Sequence, residues 1–430
     1  MSFSAAGDAL MVKTLPKDYH GLAPVADFIR QGEARLVNLE TVLSNFDCFP
    51  STYSGGTWVN ARPEILDELL CFGFNMFGCA NNHSMDYSYD GLVSTMNVLE
   101  KSGVAYAGIG KSLEQAAAPT QLSTKAGRVM MISICSTFDD AARAGYDAGA
   151  LPSRPGLNPL RINTIYTVTQ EHMKALHEIA AATKINGEKN NSVRAGFTPP
   201  DAAGCFDIGG IKFQEGETEG KMTVCHPLDL SRTKAGIEQA LNQADYVVVI
   251  AHSHQIKGEE YHEPDYFFET FCRACIDAGA CAVIGGGTHQ LKPLEIYKGK
   301  PIFYSLGNFA FQNNSVELLP PDFMEKYGLS PDSTAQQGLN ARSKNNTVGL
   351  HTDISNYRSV IPYFEMEGNC LTRLTLMPIE LGFDLDDSLK GLPYAAKSDE
   401  AKSIFEQLRQ ISEPYNTKMF LKDNIIEVCL

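Results

Sequence analysis

The sequence predicts an α/β fold. Strand-like apolar runs alternate with amphipathic helical stretches through the first third of the chain, and the same alternation resumes after about residue 229. Polar, metal-capable side chains also recur where the strand-like runs stop.

The elements follow in order. "FSAAGDAL" reads as a short strand ending at Asp8, and "ARLVNLETVL" as a second ending near Glu40. "PEILDELLCFG" is an amphipathic helix with Pro63 at its start and Gly73 past its end, the usual Pro-first, Gly-last asymmetry. "FNMFGCA" is a third strand with Asn81 and Asn82 at its tip, and a second helix runs from Asp90 to a stop at Gly103. "VAYAGIG" and "RVMMISICS" follow as strands. Residues 141–229 are rich in Gly, Pro and polar residues around one helical stretch, "TVTQEHMKALHEIAAAT", and read as a loop-rich insertion that covers or extends the site. Then come the helix "KAGIEQALNQA", the strand "DYVVVIAHSH", the helix "DYFFETFCRACIDAG" and the strand "CAVIGGGTH". The strand pair "KPLEIYKGKPIFYSLGNFAF" turns at Lys298-Gly299, and a polar surface excursion spans 313–346. The C-terminal part holds a hairpin turning at Glu367-Gly368-Asn369, the helix "SDEAKSIFEQLRQIS" and a last strand, "NIIEVCL". This suggests a main domain over 1–315, with the insertion at about 141–229, and an extension over 316–430 packed on the same domain.

The formal charge of −15 argues against a nucleic-acid partner, which requires a surplus of Lys and Arg, yet leaves room for a small anionic substrate in a locally positive pocket. The opening "MSFSAAGDALMVK" lacks a basic segment followed by an apolar one, and no run is long enough to span a bilayer. The 11 cysteines are odd in number and scattered, so no disulfide framework is expected and the sequence reads as cytoplasmic. Cys272 and Cys275 sit inside a helical stretch and read as buried thiols.

Asp8, Glu40, Asn82, His83, His252, His254 and His289 all fall at or just past predicted strand ends, the rim where open α/β sheets bind ligands. Singly, each has an ordinary structural reading: an Asp after a strand is usually a turn former, an Asn tolerates a left-handed backbone, and "HSH" puts two imidazoles on one strand face. Jointly, carboxylate, amide oxygen and imidazole suit one or two divalent ions such as Mn, Fe, Zn or Mg. "AGIGKS" fails as a nucleotide loop because Ala105 stands where a glycine is needed, and no G-x-S-x-G is present. Arg154 and Arg161, in "PSRPGLNPLR", read equally as anion binders or as ties from a loop to the body. Tyr87 is a candidate substrate contact, whereas Trp58 reads as core.

Taken in order, "AAGD", "VNLET", "ANNHSMDY", "VVIAHSH" and "GGTHQLKPLEIYKGKPIFYSLGNFAF" resemble the poly-γ-glutamate capsule-synthesis, or CapA-like, family, grouped with the calcineurin-like metallophosphoesterases. The resemblance spans about 3–312 and is weaker in "RPGLNPLR" and "LPYAA". It implies an α/β/β/α sandwich with a dinuclear metal site. It would make Asp8 and Glu40 carboxylate ligands with Glu40 shared, Asn82 an amide ligand, and His252 and His289 imidazole ligands. His83 would be the general acid, oriented by Asp86. The activity implied is metal-dependent phosphoester hydrolysis. The alternatives are action on a γ-glutamyl amide polymer, or a non-catalytic metal- or polymer-binding role in capsule assembly. One departure stands out: where the family has G-H-x-x-H, this chain has Gly285, Gly286 and Gly287 before His289. The lost imidazole should weaken one metal site, with His254 the candidate substitute.

Overall fold

The computed structural model describes residues 1–430. Two mixed sheets dominate, one of ten strands and one of six. In the larger, Ser2–Leu10 pairs in parallel with Ala34–Leu39 on one side and with Asn308–Phe311. Met76–Gly78 and Ala105–Ala107 continue the parallel series outward from Ala34–Leu39. Ser2–Leu10 also runs antiparallel to Arg358–Glu367, which leads to Cys370–Glu380 and the terminal pair Met419–Lys422 and Ile425–Val428. The smaller sheet centres on Gly127–Cys135, Tyr246–Ser253 and Ala282–Gly287, all parallel. Leu294–Tyr297, Lys300–Phe303 and Thr120–Thr124 complete it.

Side-chain alternation explains the layering. Along Tyr246–Ser253, Val248 and Ile250 join Phe3, Leu36, Met76, Met131 and Ile284 in a core between the two sheets. Val247, Val249 and Ala251 point the other way, onto Ile237, Phe267 and Phe271 of the helices Pro227–Leu241 and Tyr266–Asp277. Such a strand is buried on both faces, and this is why "DYVVVIAHSH" is a continuous apolar run rather than an alternating one. On the far side, Val37, Phe77 and Phe309 of the larger sheet pack on Val25, Leu69, Phe72 and Leu92 of the helices Leu22–Ile29, Ile65–Phe72 and Ser88–Ser102. The layers therefore run helix, sheet, sheet, helix. Gly73 and Gly103 end their helices with φ of 104° and 67°, a conformation costly for any residue with a Cβ. Cys272 and Cys275 lie buried in the outer core, and no helix is long and apolar enough to cross a membrane.

Several expectations are corrected. Residues 141–229 are not loop-rich: Ile162–Val168, Cys205–Ile208, Ile211–Glu215 and Gly220–Cys225 form their own four-stranded sheet, beside helices Gln170–Thr183 and Gly187–Arg194. These strands are mostly half-exposed, so few apolar residues were needed and the strand signal was faint. "SLGNFAF" does not prolong the preceding hairpin; Asn308–Phe311 crosses to the larger sheet. The first strand continues past Asp8 to Leu10, with register shifts at Asp8. The helix expected from Lys234 starts at Pro227, whose fixed φ suits a first turn.

Candidate metal centre

The parallel strands of both sheets end on the same rim, and the predicted donors meet there. Asp8 lies at the bulged end of the first strand, fully buried. Its Oδ1 accepts from Asn38 Nδ2 at 2.7 Å, and its Oδ2 from the main-chain N–H of Gly287 at 2.7 Å. A Cβ at position 286 would collide with Asp8 Oδ1, so the glycine run is what lets this carboxylate seat against the opposite sheet. Burial pushes the Asp8 carboxyl up, but His252, His289 and the Gly287 N–H outweigh it and hold it below its usual range.

Glu40 follows Ala34–Leu39 and is also fully buried, yet neither carboxylate oxygen has a hydrogen-bond partner. Burial, with Asp8 and Asp86 adding to it, pushes its carboxyl well above the ordinary value. The ligand atoms of Glu40, His252 and His254 lie within 4.8 Å of one another, and so do those of Asp8, Glu40 and His289. Glu40 is common to both groups. Around His252 Nε2, Asn82 Oδ1 stands at 2.7 Å, His254 Nε2 at 3.1 Å and Glu40 Oε1 at 3.5 Å. Donors sharing an ion at ~2.1 Å are about 3–3.5 Å apart, so this set has the spacing of a coordination shell. The buried, unpartnered carboxylate oxygens of Glu40 beside the three imidazoles fit a divalent cation in both chemistry and spacing.

Two of the imidazoles, His289 and His254, are held toward the neutral form. His289 adopts φ of 61°, and its Nδ1 pairs with Asn308 Oδ1 at 2.8 Å; Asn308 in turn donates to the main-chain oxygens of His289 and Asn356, which fixes its oxygen toward the ring. Burial, reinforced by His252 and His83, lowers its pKa to about 4 against the opposing pull of Asp8. Burial and the neighbouring His252 and His289 hold His254 well below its usual range too.

His83 is buried beside this group, its Nδ1 2.6 Å from Asp86 Oδ2. Asp86 is gripped by the N–H groups of Gly55 and Val59 at 2.9 and 2.8 Å, yet burial still raises its pKa. Gly55 closes over the pair, since a Cβ there would lie 2.6 Å from both Asn82 Nδ2 and His83 Cε1.

The remaining expected contacts are placed differently. Arg161 grips buried Asp229 through Nε and Nη2, both at 2.8 Å, and Arg154 Nε donates to the Arg143 carbonyl. Tyr87 is buried in the apolar core, as is Trp58, whose Nε1 donates to Ser51 O. Sequence reasoning passed over Asn38 and Asn308, and placed Asn81 at a strand tip without giving it a role. Asn81 Nδ2 donates to Asn38 Oδ1 and to Leu39 O, so a chain of amides positions Asp8 and the Glu40 turn. The signal was available, because "VNLET", "ANNH" and "SLGNF" each carry a polar amide against apolar neighbours.

Residues 2–313 match the family described as "Bacterial capsule synthesis protein PGA_cap". The chain is 31% identical over 432 residues to the uncharacterized protein y4sH of Sinorhizobium fredii, covering 98% of this chain and 91% of that one. It is 26% identical over 255 residues to the PGA biosynthesis protein CapA of Bacillus subtilis, covering 59% of this chain and 47% of the relative. A hypothetical protein from Thermus thermophilus aligns in structure with a TM-score of 0.40 at 12% identity, over 88% of this chain and 99% of that one. Matched over most of its length, the chain belongs to the PGA_cap family of bacterial capsule synthesis proteins.

Proposed function

We propose that the chain is a metal-dependent hydrolase of the metallophosphoesterase type, cleaving a phosphoester within capsule synthesis. The observation that carries this reading is Glu40: a buried carboxylate with both oxygens unpartnered, shared by two groups of donors at one sheet rim. The helix–sheet–sheet–helix layering supports the metallophosphoesterase assignment. Asp8, Glu40, Asn82, His252, His254 and His289 would hold one or two ions, with Mn, Fe, Zn or Mg suited to the mixed oxygen and nitrogen donors. When bound, such ions supply Lewis-acid polarisation of a phosphoryl oxygen and acidify a water.

The chain's own residues supply the proton and its aim. With Nδ1 engaged by Asp86, His83 keeps Nε2 for the substrate and delivers a proton there to the leaving oxygen. Asp86, fixed by two main-chain N–H groups, is a positioning residue that holds the ring in one orientation. Asn308 does the same for His289, leaving that ring's Nε2 free to act as donor. Gly55 keeps the approach to His83 narrow, which restricts bulk water.

The test is turnover of a panel of aryl phosphodiesters by protein supplied in turn with Mn²⁺, Fe²⁺, Zn²⁺ and Mg²⁺, compared with His83→Ala. Turnover that collapses in the variant supports the reading; no turnover with any of the metals overturns it. A second reading, in which the same centre cleaves a γ-glutamyl amide polymer, draws support from the names of the Bacillus relatives. Sizing poly-γ-glutamate after incubation separates the two.

A further inference from the structure

Phe311, whose ring packs on His289 at 5.1 Å between centroids, also lines a separate polar hollow of about 320 Å³. Segments far apart in sequence build its walls. Lys13 follows the first strand, Asn314 and Gln336 belong to the excursion beyond it, His351 sits in the turn Leu350–Thr352, and Lys390 lies in the C-terminal part. Gln312 ties them together, because its Oε1 accepts from the N–H groups of Val12 and Lys13, both at 2.9 Å.

The charge in this hollow is unbalanced. Lys13 makes no ion pair, and Asp387 is the one acidic residue on the walls. The Lys390 ammonium rests over the rings of Phe383 and Tyr357, 4.5 and 5.1 Å from their centroids; the rings hold it in place without neutralising it. Behind the wall, Arg342 is half-buried over Phe323 and donates to Thr57 and to Asn314 Oδ1, again with no carboxylate partner. His351 is only 9% exposed, and its Nε2 is buried without any hydrogen-bond partner. Burial, with Lys390 and Arg342 nearby, lowers the pKa of this imidazole, which marks the same positive field from a second group. In a chain of formal charge −15, a hollow with two unpaired ammonium groups and an orphaned imidazole is the reverse of the general surface.

We propose that this hollow is an anion subsite, in which the Lys13 and Lys390 ammonium groups receive a carboxylate or phosphate group, with His351 part of the wall. It is assembled largely from residues beyond 313, where the family match ends, and it adjoins the metal centre through Phe311. The subsite stands on its own residues; only its service to the substrate of the metal centre rests on the reading above. Lysine ammonium is a point charge that takes either oxyanion, so carboxylate and phosphate are distinguished by experiment rather than by geometry.

Calorimetry on the full chain, stripped of metal with EDTA, measures binding of tri-γ-glutamate and of inorganic phosphate as separate probes. One or both should bind, the preferred probe naming the oxyanion. The pair Lys13→Gln with Lys390→Gln should weaken that binding by about tenfold or more, with unchanged unfolding midpoints. Binding of neither probe, or binding unaltered by the lysine pair, overturns the proposal. Because the metal is removed, the outcome is independent of whether phosphodiester turnover is found.

Discussion

His83 and Asp86 stand one turn apart with Nδ1 and Oδ2 separated by 2.6 Å, and both side chains are almost wholly buried. Such a pair fixes the ring in one orientation. His83→Ala should lower turnover by about 10²–10⁴-fold while leaving metal content intact, measured by steady-state kinetics and elemental analysis. Asp86→Asn keeps the shape but not the charge. It should reduce kcat less than His83→Ala and shift the pH–rate profile, a change that a purely structural role would not produce.

Glu40 is a stability liability in the metal-free chain. Buried without partners and near Asp8, it should destabilise the metal-free protein. Glu40→Gln is therefore expected to raise the metal-free unfolding free energy by about 1–3 kcal/mol and to abolish most of the stabilisation that added metal confers. Thermal unfolding with and without Mn²⁺ checks both signs.

Metal uptake should release protons. The Glu40 carboxyl is raised well above its ordinary range and must ionise to act as a ligand, whereas His289, lowered to about 4, is already neutral near pH 7. Affinity should thus fall as pH falls toward the acid range, with proton release on binding that calorimetry in buffers of different ionisation enthalpy detects. Glu40→Gln should remove most of that release.

Gly286 is required by contact rather than by backbone freedom. A methyl group there would collide with the Asp8 carboxylate. Gly286→Ala should displace Asp8 and weaken metal binding by about tenfold or more, equivalent to about 1.4 kcal/mol, read by metal titration.

Lys292 offers a prediction of opposite character. It is 1% exposed with a single hydrogen bond from Nζ to Gln255 O, and burial lowers its pKa from 10.5 to about 7. Between pH 7 and 10.5 the unfolded chain binds more protons at this group than the folded one, so its penalty to folding shrinks as pH rises. Lys292→Met should be more stable than the parent by about 1–3 kcal/mol near pH 7, and that gain should diminish toward pH 10. Denaturant unfolding across the range checks the slope.

Much of the candidate centre was legible because its donor residues are chemically conspicuous. A single carboxylate or imidazole ending an apolar run has an ordinary structural reading, and it was the recurrence at Asp8, Glu40 and His252 that stood out. The glycine run before His289 was visible too, though only as an absence; that Gly286 makes room for Asp8 needs the opposite strand in view. Asn38 and Asn308 were passed over because an amide among apolar neighbours, though visible, has no spacing that names its partner. Arg161 reads alike as a substrate clamp or a tie, and only the arrival of Asp229, 68 residues away, decides where its fork goes. The inserted sheet escaped notice because half-exposed strands leave little apolar periodicity to read.

Asp8, Glu40 and Asn82 hang from the larger sheet, while His252, His254 and His289 belong to the smaller one. A bound ion would therefore act as a rivet through the seam between the two sheets, adding to the Asp8–Gly287 and Asn82–His252 contacts that already cross it. Stripping it should let the sheets slip, and amide exchange along Tyr246–Ser253 and Ser2–Leu10 should quicken together, far beyond the handful of atoms that touched the ion.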